Sequence, residues 1–276
     1  MNPHLGHSSS LREMLASVLR SRHLIAQMVK REVIGRYRGS MLGLAWSFFN
    51  PVLMLAVYTF FFSVIFKARW SGLDDSDKGG FAILVFVGMI VHGLFAECLN
   101  KAPTLIINNA SYVKKVVFPL EILPWISMGS AMFHMAISLV VLLAARIILG
   151  GALSWTIIFF PLVLFPLVLV TIGFAWLFAA VGVYLRDVAQ TVGIFTTVLT
   201  FLSPVFYPIS VLPERYHFWF RLNPLTSIIE ESRNVLIWNR LPDWGNLALM
   251  LLVSGLIAWF GFWVFQRCRE GFADVI

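Results

Sequence analysis

Six stretches of this chain run without a single Asp, Glu, Lys or Arg for close to the depth of a lipid bilayer, and nothing else constrains the fold as tightly. Residues 41–66 are uncharged over 26 positions, 79–96 over 18 and 122–145 over 24. Residues 147–185 form an uncharged run of 39, too long for one crossing, and Gly150-Gly151 divides it. Residues 188–213 and 246–266 complete the set. A bilayer's hydrocarbon core is about 30 Å thick and takes about 20 helical residues to cross. Lipid offers no partner to a bare amide or carbonyl, so only helices and closed barrels cross it. These runs are far longer than barrel strands and do not alternate. The expected fold class is all-α and integral to the membrane, with spans at 41–66, 79–100, 122–149, 155–183, 188–207 and 246–266. They form one transmembrane domain.

Composition agrees. Charged residues make up 13 % of the 276 and hydrophobic ones 59 %, against about 25 % charged in soluble domains. A water-soluble globule has too little polar material here to cover its outside. Disorder, collagen, a disulfide scaffold and most soluble enzymes are excluded. The two cysteines, Cys98 and Cys268, have neither metal spacing nor a CxxC pair and read as free thiols.

The formal charge of +7 invites a nucleic-acid reading, and the placement of the charges answers it. With the N-terminus inside, 13 of the 21 Lys and Arg fall on cytoplasmic segments and seven on external ones. The external seven are matched by Asp74, Asp75, Asp77, Glu214, Glu230, Glu231 and Asp243. The excess is a positive-inside signal and a contact for anionic lipid heads, with no nucleic-acid partner. Both termini are expected in the cytoplasm. Residues 1–40 hold no apolar signal-peptide core, so the first span is expected to act as the insertion signal.

The segments between spans carry their own patterns. Residues 1–9 read as a flexible leader. Residues 10–38 read as a cytoplasmic amphipathic helix, opened by the capping box Ser10-Leu11-Arg12-Glu13. Leu11, Met14, Leu15, Val18, Ile25 and Met28 form its apolar stripe, with Arg12, Arg20, Arg22, Lys30 and Arg31 on the remainder. Such a helix lies on the membrane surface or packs on another protein. The interior connection 101–121 carries Asn108, Asn109, Tyr112, Lys114, Lys115 and Phe118-Pro119. It fits either a docking element or an ordinary loop with positive-inside lysines. The sequon Asn109-Ala110-Ser111 lies on the inner side and carries no weight. Residues 208–245 are too apolar for a free external loop. They are expected to re-enter the outer half of the membrane as short helices, to form an aromatic belt at the interface, or both. The tail 267–276 returns to the cytoplasm.

Catalytic and energy-coupling signatures are missing: the sequence has no GxxxxGK[ST] loop, no HExxH and no GxSxG. His92 and His134 lie in spans, where a histidine relays protons or bonds a neighbouring helix. Glu97 and Lys101 form an i,i+4 pair. Glu97, Glu121 and Asp187 otherwise read as isolated acids. No metal site is expected. Aromatics stand out instead: Tyr58, Phe62 and Phe66 share a face of span one, Phe49 precedes them, and Phe195, Phe206 and Tyr207 belong to span five. Such rings suit either helix packing and lipid contact or a path along which sugar rings slide.

Four runs together resemble one family. They are Arg36-Tyr37-Arg38-Gly39-Ser40-Met41-Leu42-Gly43-Leu44-Ala45-Trp46 closing on Asn50-Pro51, Tyr112-Val113-Lys114-Lys115-Val116-Val117-Phe118-Pro119-Leu120-Glu121, Tyr184-Leu185-Arg186-Asp187-Val188, and Pro204-Val205-Phe206-Tyr207-Pro208 followed by Leu222-Asn223-Pro224. In this order and spacing they resemble the membrane subunits of type-2 ABC polysaccharide exporters, which carry O-antigen, capsule or teichoic acid. The resemblance covers nearly the whole chain. It implies a homodimer paired with two copies of a cytoplasmic ABC ATPase, with ATP and Mg on that partner and no cofactor on this chain. Residues 10–33 would be the interface helix. Asn108, Asn109, Tyr112, Lys114 and Lys115 would dock the ATPase, with Arg186 and Asp187 at a second contact. The substrate would be an undecaprenyl-diphosphate-linked polysaccharide moved outward across the bacterial inner membrane. Lys30, Arg31, Arg36 and Arg38 would meet its pyrophosphate, a pairing that suits arginine, though positive-inside anchoring explains the same residues. Phe49, Tyr58, Phe62, Phe66, Phe195, Phe206 and Tyr207 would line the glycan path between spans one and five. The rival readings are a small-molecule or drug exporter permease, a membrane enzyme acting on lipid-linked sugars, and a channel or scaffold without energy input.

Overall fold

A computed structural model describes residues 9–65, Trp70, 79–115 and 118–276. Residues 1–8 of the leader, Phe66, Asp74, Asp75, Asp77 and Val116-Val117 lie outside the described residues. The described residues form helices and turns, with no strand among them.

Helix α1 spans Leu11–Arg36. Ser10 caps it, its hydroxyl oxygen accepting the Glu13 amide at 3.2 Å, while the Glu13 carboxylate takes Arg20 at 2.7 Å. The single apolar stripe expected for this helix is two edges. Met14 and Met28 are buried and Ile25 packs against the core, whereas Leu11, Leu15 and Leu19 stay exposed; as a whole the helix packs chiefly on the one that follows residue 122. Packing on its own chain and apolar exposure therefore share one helix.

Helix α2, Trp46–Thr59, continues into a π-helical turn over Phe60–Ile65. Helix α3, Gly80–Lys101, is the hub and is buried along most of its length. A run of turns leads to the short helix α4, Ala110–Lys115. Helix α5, Leu123–Ile148, stops where Gly150 adopts φ +83°, a conformation that an L side chain resists. Helix α6, Phe160–Tyr184, packs most intimately on α10, Trp244–Arg269. Small residues make that approach possible. A Cβ on Gly173 would lie 2.7 Å from the Ile257 carbonyl oxygen, and one on Gly261 would run into the Gly173 carbonyl. Lipid tails are as apolar as side chains, so close backbone packing of this kind supplies much of the cohesion between membrane helices.

Helix α7 spans Val188–Leu202, shorter than the span expected at 188–207. Among the described residues, five helical stretches are long and apolar enough to cross a membrane: Gly43–Phe62, Gly80–Thr104, Leu120–Ile148, Trp155–Tyr184 and Trp244–Arg269. The 15 residues of α7 reach about 22 Å at 1.5 Å each, short of the hydrocarbon thickness. Its end is chemically determined. Ser203 precedes Pro204 and is extended at φ −114°, ψ 153°, as the proline ring demands of its neighbour. Beyond it come α8, Glu214–Leu222, and α9, Pro224–Leu236, the latter packed against α3 and α6. Helix α11, Phe272–Val275, turns back beside α4 and α6.

Candidate functional site

Three features have the geometry of function: a charged cluster at the end of the bundle that carries α4, two long uncovered helix faces, and a buried arginine at the opposite end.

The charged cluster is built where α1, α3 and α5 meet. Arg36 Nη1 lies 2.5 Å from Glu97 Oε1, and Lys101 Nζ bridges Glu32 at 2.8 Å and Glu97 at 3.4 Å. His134 Nδ1 stands 3.1 Å from both Glu97 oxygens, and its Nε2 stands 3.2 Å from the Tyr37 hydroxyl. This arrangement fits an imidazole that donates from Nδ1 and accepts from tyrosine at Nε2. Burial pushes the Tyr37 phenol above its ordinary range, with Arg36 opposing, so the hydroxyl stays protonated and able to donate. The sequence paired Glu97 with Lys101 only; His134 and Arg36 are 37 and 61 residues away from it.

The four cations read as a pyrophosphate contact do not converge. Lys30, Arg31 and Arg36 sit about 100–140° apart around α1 by helical spacing. Arg31 donates to the Tyr112 hydroxyl at 3.1 Å, Arg36 faces Glu97, and Lys30 and Arg38 are exposed.

The docking residues are partly engaged within the chain. Tyr112 stacks on Phe118, with centroids 4.5 Å apart and planes at 12°. Asn109 Nδ2 donates to the Leu105 carbonyl at 2.8 Å, and Lys114 Nζ reaches the Ile276 backbone oxygen at 2.7 Å. Asn108, Arg186 and Asp187 are exposed, and Lys115 closes α4. Behind this surface is an ion pair that the sequence did not reveal. Arg269 Nη1 meets Glu121 Oε2 at 2.7 Å, with the side chains only 3 % and 5 % exposed. Arg269 Nη2 donates to the Phe118 carbonyl at 3.2 Å, and Trp176 Nε1 donates to the Glu121 carbonyl at 2.9 Å. Glu97 and Glu121 are therefore not the isolated acids expected. Their partners come from distant parts of the chain, where no local spacing betrays them.

Two uncovered faces belong to α2 and α7, and α10 exposes Leu249, Leu252, Leu256 and Phe260 as well. On α2, Ser47, Pro51, Leu55, Tyr58 and Phe62 make a narrow inward stripe, while Phe48, Phe49, Leu53 and Val57 are exposed. Phe49 thus stands on the free face, whereas Tyr58 and Phe62 lean into the bundle. Phe62 stacks on Phe206 at 6.1 Å and meets Phe81 at 5.1 Å. On α7, Val192 and Thr196 are buried, and Ile194, Phe195, Val198, Phe201 and Leu202 are exposed. The seam beneath α7 is polar: His92 Nε2 lies 3.1 Å from the Thr196 carbonyl and 3.1 Å from the Thr200 hydroxyl, and Thr196 donates to Asn100 at 3.0 Å. Tyr207 is half-buried and donates to the Phe201 carbonyl, closing the turn after α7.

At the α9 end, Arg233 is 1 % exposed. Its Nε donates to the Leu84 carbonyl at 3.1 Å, Nη2 to the Val205 carbonyl at 2.9 Å and Nη1 to Glu230 at 2.8 Å. The guanidinium carbon lies 4.5 Å above the Trp70 ring. One side chain thus pins α9, α3 and the segment after α7 together. No group of three or more His, Cys, Asp or Glu among the described residues could hold a metal.

With this geometry in view, comparison with known proteins is specific. The profile of the ABC-2 type transporter family matches residues 23–237. The O-antigen export system permease protein RfbA of Myxococcus xanthus is 28 % identical over 257 residues, covering 92 % of this chain and 96 % of that protein. An RfbA of Klebsiella pneumoniae is 23 % identical, covering 92 % and 95 %. The polysialic acid transport protein KpsM of Escherichia coli is 20 % identical, covering 87 % and 91 %.

Proposed function

The chain belongs to the ABC-2 type transporter family, and from that premise we propose that it is the membrane permease subunit of an ATP-driven exporter of polysaccharide, with O-antigen the favoured cargo. One observation carries the reading. Relatives named as O-antigen export permeases align end to end with it, over 92 % of this chain and 95–96 % of their own length.

The rest of the proposal follows from where surfaces are left open. Six crossings are made by α2, α3, α5, α6, α7 with its following segment, and α10, and both termini lie in the cytoplasm of a bacterium's inner membrane. A second copy of the chain covers the outward faces of α2 and α7. The glycan passes between these helices, sliding over exposed rings such as Phe49 and Phe195. Phe62, Phe206 and Tyr207, together with Tyr58, pack the external closure around α8 and α9, which re-enter the outer leaflet. Two copies of a cytoplasmic ATPase supply the energy, holding ATP and Mg. They dock on α4 through Asn108, Asn109, Tyr112, Lys114 and Lys115, and on the turn at Arg186 and Asp187. The polysaccharide arrives on an undecaprenyl diphosphate carrier, whose phosphates meet the cations at the end of α1.

Deleting the gene tests this. Surface polysaccharide on a gel should disappear, lipid-linked glycan should accumulate inside, and the wild-type chain should restore the surface ladder. An unchanged ladder in the deletion strain refutes the assignment.

A further inference from the structure

A cavity of 490 Å³ opens between the end of α8, α9 and the start of α10, a volume ordinary for small-molecule sites, which run to about 300–1,000 Å³. One side chain on its wall points to a ligand. Thr226, in the first turn of α9, is 1 % exposed and lines the cavity, yet its hydroxyl has no hydrogen-bond partner among the described residues. Native structures pair nearly all buried polar groups, and a bare one bears its full desolvation penalty. Arg221, at the end of α8, shares this wall and likewise has no partner among the described residues.

The wall has two chemically distinct ends. At one, Arg221, Thr226 and Ser227 surround the first turn of α9, where the helix dipole adds positive potential. That end suits a phosphate, which arginine and hydroxyl donors satisfy. One helical turn on, about 5.4 Å along the axis, the wall becomes acidic. Glu231 accepts the Asp243 amide at 3.3 Å, so the two carboxylates adjoin. Arg233 offsets Glu230 at 2.8 Å, but Glu231 and Asp243 hold no cationic side chain among the described residues. No metal-holding group exists among those residues, so this end suits an ammonium. Leu249 belongs to the same wall. From it Leu252, Leu256 and Phe260 continue along one exposed face of α10. That face runs about 16 Å from Leu249 to Phe260, about half of a 30 Å hydrocarbon core and so the depth of one leaflet.

We propose that the cavity holds the headgroup of an outer-leaflet phospholipid bearing a primary amine. The phosphate sits at Arg221 and Thr226, the ammonium at Glu231 and Asp243, and an acyl chain lies along the exposed face of α10. A phosphoethanolamine group carries its two charges two carbons apart, in the order in which the wall receives them. A choline headgroup has no N–H to give the carboxylates, and a glycerol headgroup leaves the lipid's net negative charge beside them. The lipid ties α9 to α10, helices that otherwise touch only lightly. The inference rests on the proposed permease topology for the choice of leaflet alone.

The test uses the full chain, purified in detergent and stripped of lipid. It is titrated with phosphatidylethanolamine, phosphatidylcholine and phosphatidylglycerol of matched chains, and retained lipid is counted by native mass spectrometry. One phosphatidylethanolamine per chain should bind about tenfold more tightly than either other lipid, the worth of a hydrogen bond to a charged group. Thr226→Val removes a hydroxyl that pairs with nothing among the described residues. The lipid-free variant should therefore melt at or above wild type while its affinity for phosphatidylethanolamine falls about tenfold; a purely structural threonine would lower the melting temperature instead. Arg221→Gln, at an exposed position, should weaken binding similarly and serves if the valine variant does not fold. Equal retention of the three lipids, or wild-type affinity in the folded variants, overturns the proposal. Glycerophosphoethanolamine, the headgroup without its chains, should compete only weakly. Competition as strong as by the lipid assigns the cavity to a soluble ligand, and tighter binding of glucosamine assigns it to a sugar; either result overturns the lipid. Binding is read on the purified chain, so such a failure leaves polysaccharide export, tested by gene deletion, standing.

Discussion

Replacing Glu121 with alanine takes away the carboxylate that Arg269 Nη1 reaches at 2.7 Å, in a place where the guanidinium side chain is 3 % exposed. Breaking one side of a buried ion pair costs about 3–5 kcal/mol, because the remaining charge keeps its desolvation penalty and loses its attraction. Arg269 retains the Phe118 carbonyl at 3.2 Å and Gln266 Oε1 at 3.5 Å, so the lower end, about 3 kcal/mol, is expected. For a chain of this size about 2–4 °C accompanies each kcal/mol, giving a fall in melting temperature of about 6–12 °C. Thermal melts of the detergent-purified chain, read by tryptophan fluorescence, measure it. The double variant Glu121→Leu with Arg269→Met should recover most of the loss, since apolar residues of similar volume replace buried pairs at little or no cost. That recovery separates a pairing effect from general damage, in the manner of a double-mutant cycle. A double variant that melts as low as the worse single variant, or singles within about 2 °C of wild type, would refute the reasoning. The location gives the result functional weight. Arg269 ends α10, Glu121 lies in the turn before α5, and Trp176 of α6 bonds the same residue. Three helices are thus held together directly behind α4, so the single variant should also uncouple docking from transport and lower export.

Gly261→Val should drive α6 and α10 apart and lower the purified yield, overpacking a tight contact costing about 1–3 kcal/mol, whereas Gly255→Ala, with open space around its Cβ position, should melt at or slightly above wild type. Arg233→Lys should loosen the α9 end, because an ammonium cannot serve the Leu84 and Val205 carbonyls and Glu230 in one plane; limited proteolysis should then cut near α8, and unchanged protection would count against the pin. Phe49→Ala with Phe195→Ala should reduce surface polysaccharide severalfold without lowering membrane levels, while Leu256→Ala on the exposed side of α10 should not; equal export in both would remove the two rings from the glycan path.

What could be read in the sequence depended on how far apart the relevant residues stand. Helices were legible because a bilayer imposes one length and one chemistry on every crossing, and Gly150 marks the break within the longest uncharged run. The pair Glu97–Lys101 was legible because four residues make one helical turn. Arg36–Glu97, His134–Glu97 and Glu121–Arg269 were not, since 61, 37 and 148 residues separate the partners and helix packing, rather than periodicity, brings them together. Periodicity likewise grouped Tyr58 with Phe62 but could not say which side of α2 faced the bundle. In the structure their face also carries Ser47, Pro51 and Leu55, and Phe49 stands opposite.

The length of α7 shows how such a limit can itself be informative. The uncharged run 188–213 does not by itself report where the helix stops; the span expected at 188–207 runs past the end of α7 at Leu202, although Pro204 and Pro208 mark a stop or kink close by. Pro204 ends the helix by forcing Ser203 into an extended conformation, and the backbone groups left beyond it need partners that lipid does not provide. Part of the supply comes from Asn223, whose Nδ2 donates to the Ser203 hydroxyl at 2.9 Å and to the Leu202 carbonyl at 3.2 Å, and part from Arg233, which takes the Val205 carbonyl. The short helix and the folded segment over its end are thus one device: α7 can be short only because α8 and α9 return to satisfy what it leaves open. An insertion that lengthened α7 by a turn would displace the very groups that Asn223 and Arg233 hold, so it should weaken this end of the molecule even though it makes the span more nearly the depth of a membrane.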